Sequence, residues 1–191
     1  MKDVSVTRRG LASAGHSGVS YANEHCAYAE LSRQDRHALR DILNMAFPIG
    51  KSSHRLWSDF RDTTAFVRRI KDAADGDPAE GILGGAIVMS CPEDQYDYLA
   101  YIAIHPEYRY RRRLFPGGSE PPHHGSELLH YVYDVMRSRV SASWLQRYLM
   151  IEPAGDAALR FYLRSMPSNE YPLKFYEDDR IISVAYDGFA L

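Results

Sequence analysis

Arg109, Arg111, Arg112 and Arg113 open a stretch, YRYRRRLFPGGSEPPHHGSELL from Tyr108 to Leu129, that closes on Gly125 and Ser126. An apolar, strand-like run precedes it and an amphipathic helix pattern follows it. A loop that ends at a helix start offers unpaired backbone N–H groups and the positive end of the helix dipole. Gly125 lets the backbone come close to a phosphate, Ser126 adds a hydroxyl, and the arginines add charge-assisted hydrogen bonds. Such a stretch has the make-up of a pyrophosphate cradle. Without further context, a charge run of this kind is a solvated basic loop.

Other residues offer proton-transfer or binding chemistry. Asp97, Tyr98, Tyr101 and His105 lie on or beside the strand-like run YDYLAYIAIH, and alternation puts Tyr101, Ala103 and His105 on one face. His105 titrates in the useful range, but a histidine directly before Pro106 also serves as a strand terminus. PIGKSS ends like a nucleotide-binding loop, yet the first glycine of that motif falls at Met45 and a helix pattern precedes it, which excludes a P-loop. His123, Glu127 and His130 have helical spacing for metal ligands, but no H-E-x-x-H occurs and a solvated face accounts for them. No metal is expected. YRYRRR also interleaves aromatics with arginines, as single-strand nucleic-acid binders do.

The whole chain limits these options. Its 191 residues suffice for one domain with a substantial core, and 45% hydrophobic with 25% charged residues is a globular composition. A net charge of -2 argues against a general nucleic-acid binder, so the arginine cluster is a local feature. Cys26 and Cys91 are the two cysteines, which excludes a disulfide framework and a four-thiolate zinc site and fits a reducing cytoplasm. Thr7-Arg8-Arg9 has no apolar run of about 7–15 residues after it, so no secretory leader is expected. Nothing approaches the roughly 18 apolar residues of a membrane span. Residues 1–24 are Ser/Gly/Ala-rich and aperiodic, which predicts a disordered tail ahead of a single domain over 25–191.

The elements that must hold these groups follow from periodicity. His25–Leu31 reads as a strand, and Ser32 precedes a helix with Leu39, Ile42, Leu43 and Ala46 on one face. Pro48 and Gly50 end it. Trp57, Phe60, Thr64 and Val67 form a stripe that predicts a second helix from Ser53 to Ala74. Asp75–Pro78 is a turn, Gly81–Ser90 a buried strand whose glycines permit close approach, and Tyr96–His105 a further strand. Leu128, Val132, Val135 and Met136 mark a helix over His124–Arg139. Gln146–Glu152 reads as a strand and Gly155–Met166 as a short helix. Two closing strands flank a turn at Asp178 and Asp179. The expected order is β-α-α-β-β-α-β-α-β-β, a mixed sheet with helices packed on it, of class α/β or α+β.

That order and three local motifs resemble the GNAT acyltransferase superfamily. YIAIHPEYR (Tyr101–Arg109) is similar to the family's central strand and its V-x-P-x-x-R exit. GSELLHYV (Gly125–Val132) resembles the helix after the pyrophosphate loop, and AALRFYLRSM (Ala157–Met166) the later helix whose Phe-Tyr pair lies beside the acyl thioester. The resemblance spans Tyr28 to Tyr186. The chain departs from the pattern by an insertion between Arg109 and Gly125 and by Gly155 in place of the usual Asn. Met166-Pro167 replaces the usual Gly-Phe, and Leu99, Ala100 and Tyr101 stand where a strand carboxylate is frequent.

The resemblance implies a mostly antiparallel central sheet flanked by helices, and transfer of an acetyl or other acyl group from an acyl-CoA to the amine of a small molecule. It implies that backbone amides near Ile102 and Ile104 polarise the thioester carbonyl. Arg109, Arg111, Arg112, Gly125 and Ser126 would hold the donor. Tyr162 would protonate the departing thiolate, while Asp97, His105 or a water chain to Asp97 or Glu152 would take the amine proton. Phe47, Lys51, His54, Trp57 and Tyr101 would line the acceptor pocket. Two alternatives accompany it: a donor carried on a carrier protein or an aminoacyl-tRNA, and a binding module that keeps the fold without the chemistry. A cytoplasmic protein without membrane contact is expected, and an oligomer is possible.

Overall fold

A computed structural model describes residues 21–47, 60, 62–71, 81–109, 123–143, 148–176 and 181–186. Among the described residues, seven strands form one sheet: β1 (Tyr21–Ala27), β2 (Thr64–Ile70), β3 (Ile82–Cys91), β4 (Tyr96–Ile104), β5 (Tyr148–Ile151), β6 (Leu173–Tyr176) and β7 (Ile181–Ala185). They lie in the order β1-β2-β3-β4-β5-β7-β6. Every neighbouring pair is antiparallel except β4 with β5, which is parallel. Among the described residues, four α-helices accompany the sheet: α1 (Arg33–Ala46), the single-turn α2 (Pro106–Arg109), α3 (His124–Ser143) and α4 (Asp156–Ser165).

Local chemistry sets α1 where the periodicity places it. Ser32 Oγ accepts the amide of Asp35 at 3.0 Å, which supplies the helix with its N-cap. Leu39, Ile42 and Leu43 then fall on one buried stripe. Arg69 of β2 donates to Asp35 in that first turn and to Glu24 of β1, fastening the helix start to the sheet. Gly85 of β3 faces this helix: a Cβ there would stand 2.7 Å from the Phe66 carbonyl oxygen and run into Leu39. The expected close approach is therefore real, and it joins β3 to both β2 and α1.

The sheet divides two apolar clusters. On one side Phe66, Ala86, Val88, Leu99, Ile104, Leu149, Ile151, Ile182 and Val184 meet α3 and α4 through Leu128, Val132, Met136 and Tyr162. On the other, Ala65, Val67, Ile87 and Ala103 meet α1. Inner strands covered on both faces lose the alternation of polar and apolar residues.

That loss explains the main correction to the expected order. The segment predicted as a helix over Ser53–Ala74 contains β2, and Thr64 and Val67 are strand residues. Phe60, Thr64 and Val67 satisfy a 3.6-residue spacing, but β2 lies between β1 and β3 and is buried in a run from Ala65 to Arg68. A doubly buried strand has no period of its own, and only its β-branched and aromatic content signals it. The first strand also begins at Tyr21 instead of His25, which takes Tyr21–Glu24 out of the expected tail. The helix that begins at His124 runs on to Ser143, and α2 is an extra turn beyond Pro106. The other expected strands and helices are present within a few residues. No described helix is long and apolar enough to cross a membrane.

Candidate functional site

The informative geometry is where β4 parts from β5. The two strands pair in parallel from Tyr96–Tyr148 to Leu99–Ile151, and there the pairing ends. β4 continues through Ala100–Ile104 with no β5 residue opposite. On its other edge the register with β3 slips at the same place: Leu99 pairs with Val88 and Tyr101 with Ile87, so Ala100 is the extra, bulged residue. A bulge disrupts the ladder locally and bends the strand. Ala100 and Tyr101 both pack toward the α1 cluster as a result, and Leu99 and Ile102 toward the other. A parallel pair that ends in this way leaves backbone N–H and C=O groups of β4 without β5 partners.

Three elements converge on the open end of β4. Ile104 ends the strand, and Arg109, at the end of α2, donates its Nε to the Ile104 carbonyl at 2.5 Å. The first turn of α3 abuts α4: a Cβ on Gly125 would lie 3.1 and 3.3 Å from the Phe161 ring and 3.8 Å from Ile104. Gly125 thus admits Phe161 as a neighbour as well as leaving backbone accessible. Ser126 and Ser165 share a hydrogen bond at 2.7 Å, and His130 Nε2 meets the Ser165 carbonyl, so the first two turns of α3 are tied to the end of α4.

Tyr162 sits on α4 with 8% of its surface exposed, inside the α3–α4 cluster. Its hydroxyl makes no hydrogen bond to a described residue. Burial, with Tyr98 as a secondary influence, pushes its phenol well above the ordinary range, so it keeps its proton at any physiological pH. Tyr98 in turn donates to Glu152 Oε2 at 3.1 Å, and burial together with that carboxylate lifts its phenol to about 12. Tyr98, Glu152 and Tyr162 therefore gather where β4 and β5 separate.

The other expected proton-transfer groups are placed differently. Asp97 is 2% exposed and accepts from Ser90 Oγ at 2.7 Å and from the Tyr186 hydroxyl at 2.9 Å, one bond to each carboxyl oxygen. Burial raises its pKa, which these hydrogen bonds only partly offset. His105 caps α2: its Nδ1 accepts the Glu107 amide at 3.3 Å, and its ring lies edge-on to Tyr108. With Nδ1 in that bond, a neutral His105 carries its proton on Nε2 and has no second lone pair to act as a base.

On the α1 side of β4, Phe47 lies 5.3 Å from Tyr101, ring centroid to centroid, and Phe60 lies 5.8 Å from Tyr101. Tyr28 meets Phe60 edge-on and receives a hydrogen bond from Arg40. Two of the expected acceptor residues, Phe47 and Tyr101, are thus in contact. Lys51, His54 and Trp57 lie outside the described residues, as do Arg111, Arg112 and the rest of the insertion from 110 to 122. His123, Glu127 and His130 do not converge: Glu127 pairs with Arg68, and His130 stacks on Tyr171. No metal-binding group occurs among the described residues.

A further cluster centres on Arg68, which no sequence pattern singles out. Arg68 of β2, 2% exposed, reaches under the first turn of α3 and donates Nε to His124 Nδ1 at 2.9 Å. It also bonds Asn23 Oδ1 at 2.9 Å and Glu127 Oε2. Burial, then the Arg68 charge, holds the His124 imidazole near pKa 4. The one available signal was an arginine inside the β-branched, aromatic run TAFVRRI.

No protein-family model and no curated protein sequence matches the chain. Solved structures do. Tetrahymena GCN5 superposes with a TM-score of 0.57 at 13% identity, over 88% of this chain and 98% of that one. The catalytic domain of Tetrahymena GCN5 histone acetyltransferase in complex with coenzyme A gives 0.52 at 13% identity, covering 89% and 95%. AtaTR bound with acetyl-CoA gives 0.54 at 16% identity, covering 87% and 93%. Likeness at this level speaks to architecture alone. The chain has the fold of the GNAT acetyltransferases.

Proposed function

We propose that the protein is an N-acyltransferase that moves an acetyl or other acyl group from an acyl-CoA thioester to the amine of a small molecule. One observation carries the reading: β4 runs on past its bulge with no β5 residue opposite, and the buried Tyr162 belongs to the same apolar cluster as Leu99 and Ile102; this parting would form the donor's cleft. A thin pantetheine-like arm fits between strands that have stopped pairing, and the backbone groups of Ala100–Ile104 offer it a ladder. The amides near Ile102 and Ile104 would polarise the thioester carbonyl. The start of α3 at Gly125 and Ser126, with Arg109, Arg111 and Arg112, would meet the donor's phosphates.

The residues then divide the chemistry. Tyr162, protonated and without a described partner, supplies a proton to the thiolate as the C–S bond breaks. Glu152, exposed and already hydrogen-bonded to Tyr98, takes up the amine proton directly or through water, in preference to the engaged Asp97 and His105. Phe47 and Tyr101 form an aromatic wall for the acceptor on the α1 side. Such a wall suits the hydrocarbon part of an amine or, through its ring faces, a cationic one.

A thermal-shift and calorimetric screen against coenzyme A, acetyl-CoA and longer acyl-CoAs tests the reading. Ligand at ~100 times its Kd stabilises by about 2.7 kcal/mol. Binding accompanied by acyl transfer to an amine panel is the expected result. Binding without any turnover would favour the non-catalytic module. No binding of any free acyl-CoA would move the donor to a carrier protein or an aminoacyl-tRNA.

A further inference from the structure

We infer that Arg68 is a positioning residue for the donor: it holds the first turn of α3 in place and neutralises the one acidic side chain of that turn. The inference rests on the proposed acyl-CoA reading, because the end it conditions is the one assigned to the donor's phosphates. Arg68 lies on the α3 face of β2, two residues beyond the buried Phe66. Its guanidinium is buried, and groups of the described residues face it from two elements. From β1 come Asn23 Oδ1 at 2.9 Å and the Tyr21 ring, whose centroid is 5.3 Å from Arg68 Cζ. From α3 come His124 Nδ1 at 2.9 Å and Glu127 Oε2.

Each contact has a consequence for an anion at the helix start. Arginine only donates, so the bond to Nδ1 makes His124 an acceptor there and keeps its ring neutral. The ring is packed at 4.7 Å against Tyr21, so the first residue of α3 is held by both Arg68 and Tyr21. Glu127 is the acidic residue of the first turn of α3. A carboxylate there is favourable for an isolated helix but opposes a phosphate that binds the same N–H groups. Pairing with Arg68 removes that opposition and leaves the dipole and the amides to act on the ligand. A buried cation left without its carboxylate would act more strongly still, since burial weakens screening.

A double-mutant cycle read by calorimetry with coenzyme A tests this. Arg68→Met should raise the Kd about tenfold, and Glu127→Gln, at a partly exposed site, should lower it about threefold. Combining Arg68→Met with Glu127→Gln should return the Kd to within about threefold of wild type, because the bare carboxylate is gone. S-acetylpantetheine, which has the thioester but no pyrophosphate, should bind all four proteins alike. A role confined to stability would lower the melting temperature of Arg68→Met without this rescue and without distinguishing the two ligands. If Arg68→Met does not fold, Glu127→Gln decides alone: unchanged or weaker coenzyme A binding overturns the inference. A wild-type protein that binds coenzyme A, with variants that bind it equally well, refutes the inference and spares the acyl-CoA reading. A wild type that binds neither coenzyme A nor any acyl-CoA refutes both.

Discussion

The Tyr98 hydroxyl donates to Glu152 Oε2 across the point where β4 and β5 stop pairing, one strand residue before Leu99 on one side and directly after Ile151 on the other. It is a side-chain bond across the end of the ladder, and it places a carboxylate there. Glu152→Gln should therefore lower kcat/KM for the acceptor about tenfold or more while leaving coenzyme A affinity within twofold. The same substitution should lower the Tyr98 pKa from about 12, and burial, the larger cause, should keep it above 10. Tyrosine-selective NMR across an alkaline titration reads that shift. Unchanged acceptor kinetics would send the search for the base elsewhere.

Tyr162→Phe keeps the ring in the α3–α4 cluster and removes a hydroxyl with no described hydrogen bond. Stability should change by less than about 0.5 kcal/mol, whereas the chemical step should slow about 10²-fold, within the usual span for acid catalysis. Single-turnover kinetics with pre-bound acyl-CoA separates that step from product release. A chemical step as fast as wild type would return Tyr162 to a packing role.

Acid should expose His124. Its folded pKa near 4 is below the ordinary 6.5, so the folded state resists protonation. The stability this gives is fully present above pH 6.5 and is lost as pH falls through 4. The difference amounts to about 3 kcal/mol. In His124→Asn the side-chain oxygen can still accept from Arg68 but cannot titrate. Urea unfolding from pH 7 to pH 4 should show wild type losing about that much relative to the variant. A parallel pH dependence in the two proteins would contradict the placement of His124.

Asp97 should act in the opposite sense. Burial holds its carboxyl above 3.8 despite the Ser90 and Tyr186 bonds. Its contribution is fully present below pH 3.8 and is lost as pH rises through the folded value. Asp97→Asn should gain stability relative to wild type as pH rises from 3.5 to 7, and a flat difference over that range would show an unperturbed carboxyl.

Gly125 is the point where the donor end of α3 meets α4. Gly125→Ala brings a methyl within 3.1 Å of the Phe161 ring. Crowding of about 1–3 kcal/mol is then offset by about 1 kcal/mol from the better helix former. The net effect should be a modest fall in melting temperature, relieved when Phe161→Leu is added. A melting temperature unchanged by Gly125→Ala and unmoved by the second substitution would show that the two helices are not in close contact there.

Much of this architecture is determined by local sequence. Ser32 caps α1, the glycines of GILGGAIVMS allow tight strand and helix contacts, Pro106 stops β4, and the stripes of α3 and α4 are read from their spacing. The anion-binding make-up at Gly125 and Ser126 belongs to the same class, since a helix start carries its amides and dipole wherever it is placed. Residues that are neighbours in the chain decide these features, so the sequence states them directly. Tertiary structure alone decided the rest. The run that becomes β2 has the spacing of a helix because a strand covered on both faces has no alternation to show. The cleft depends on where β4 and β5 cease to pair, a property of two segments separated by α2 and α3. Arg68 finds His124 across 56 positions and Asp97 finds Tyr186 across 89, and no local period encodes a contact at such a distance. Folding turns those residues from an odd arginine and a stray carboxylate into buried, hydrogen-bonded groups, because only the packed sheet removes the water that would otherwise satisfy them.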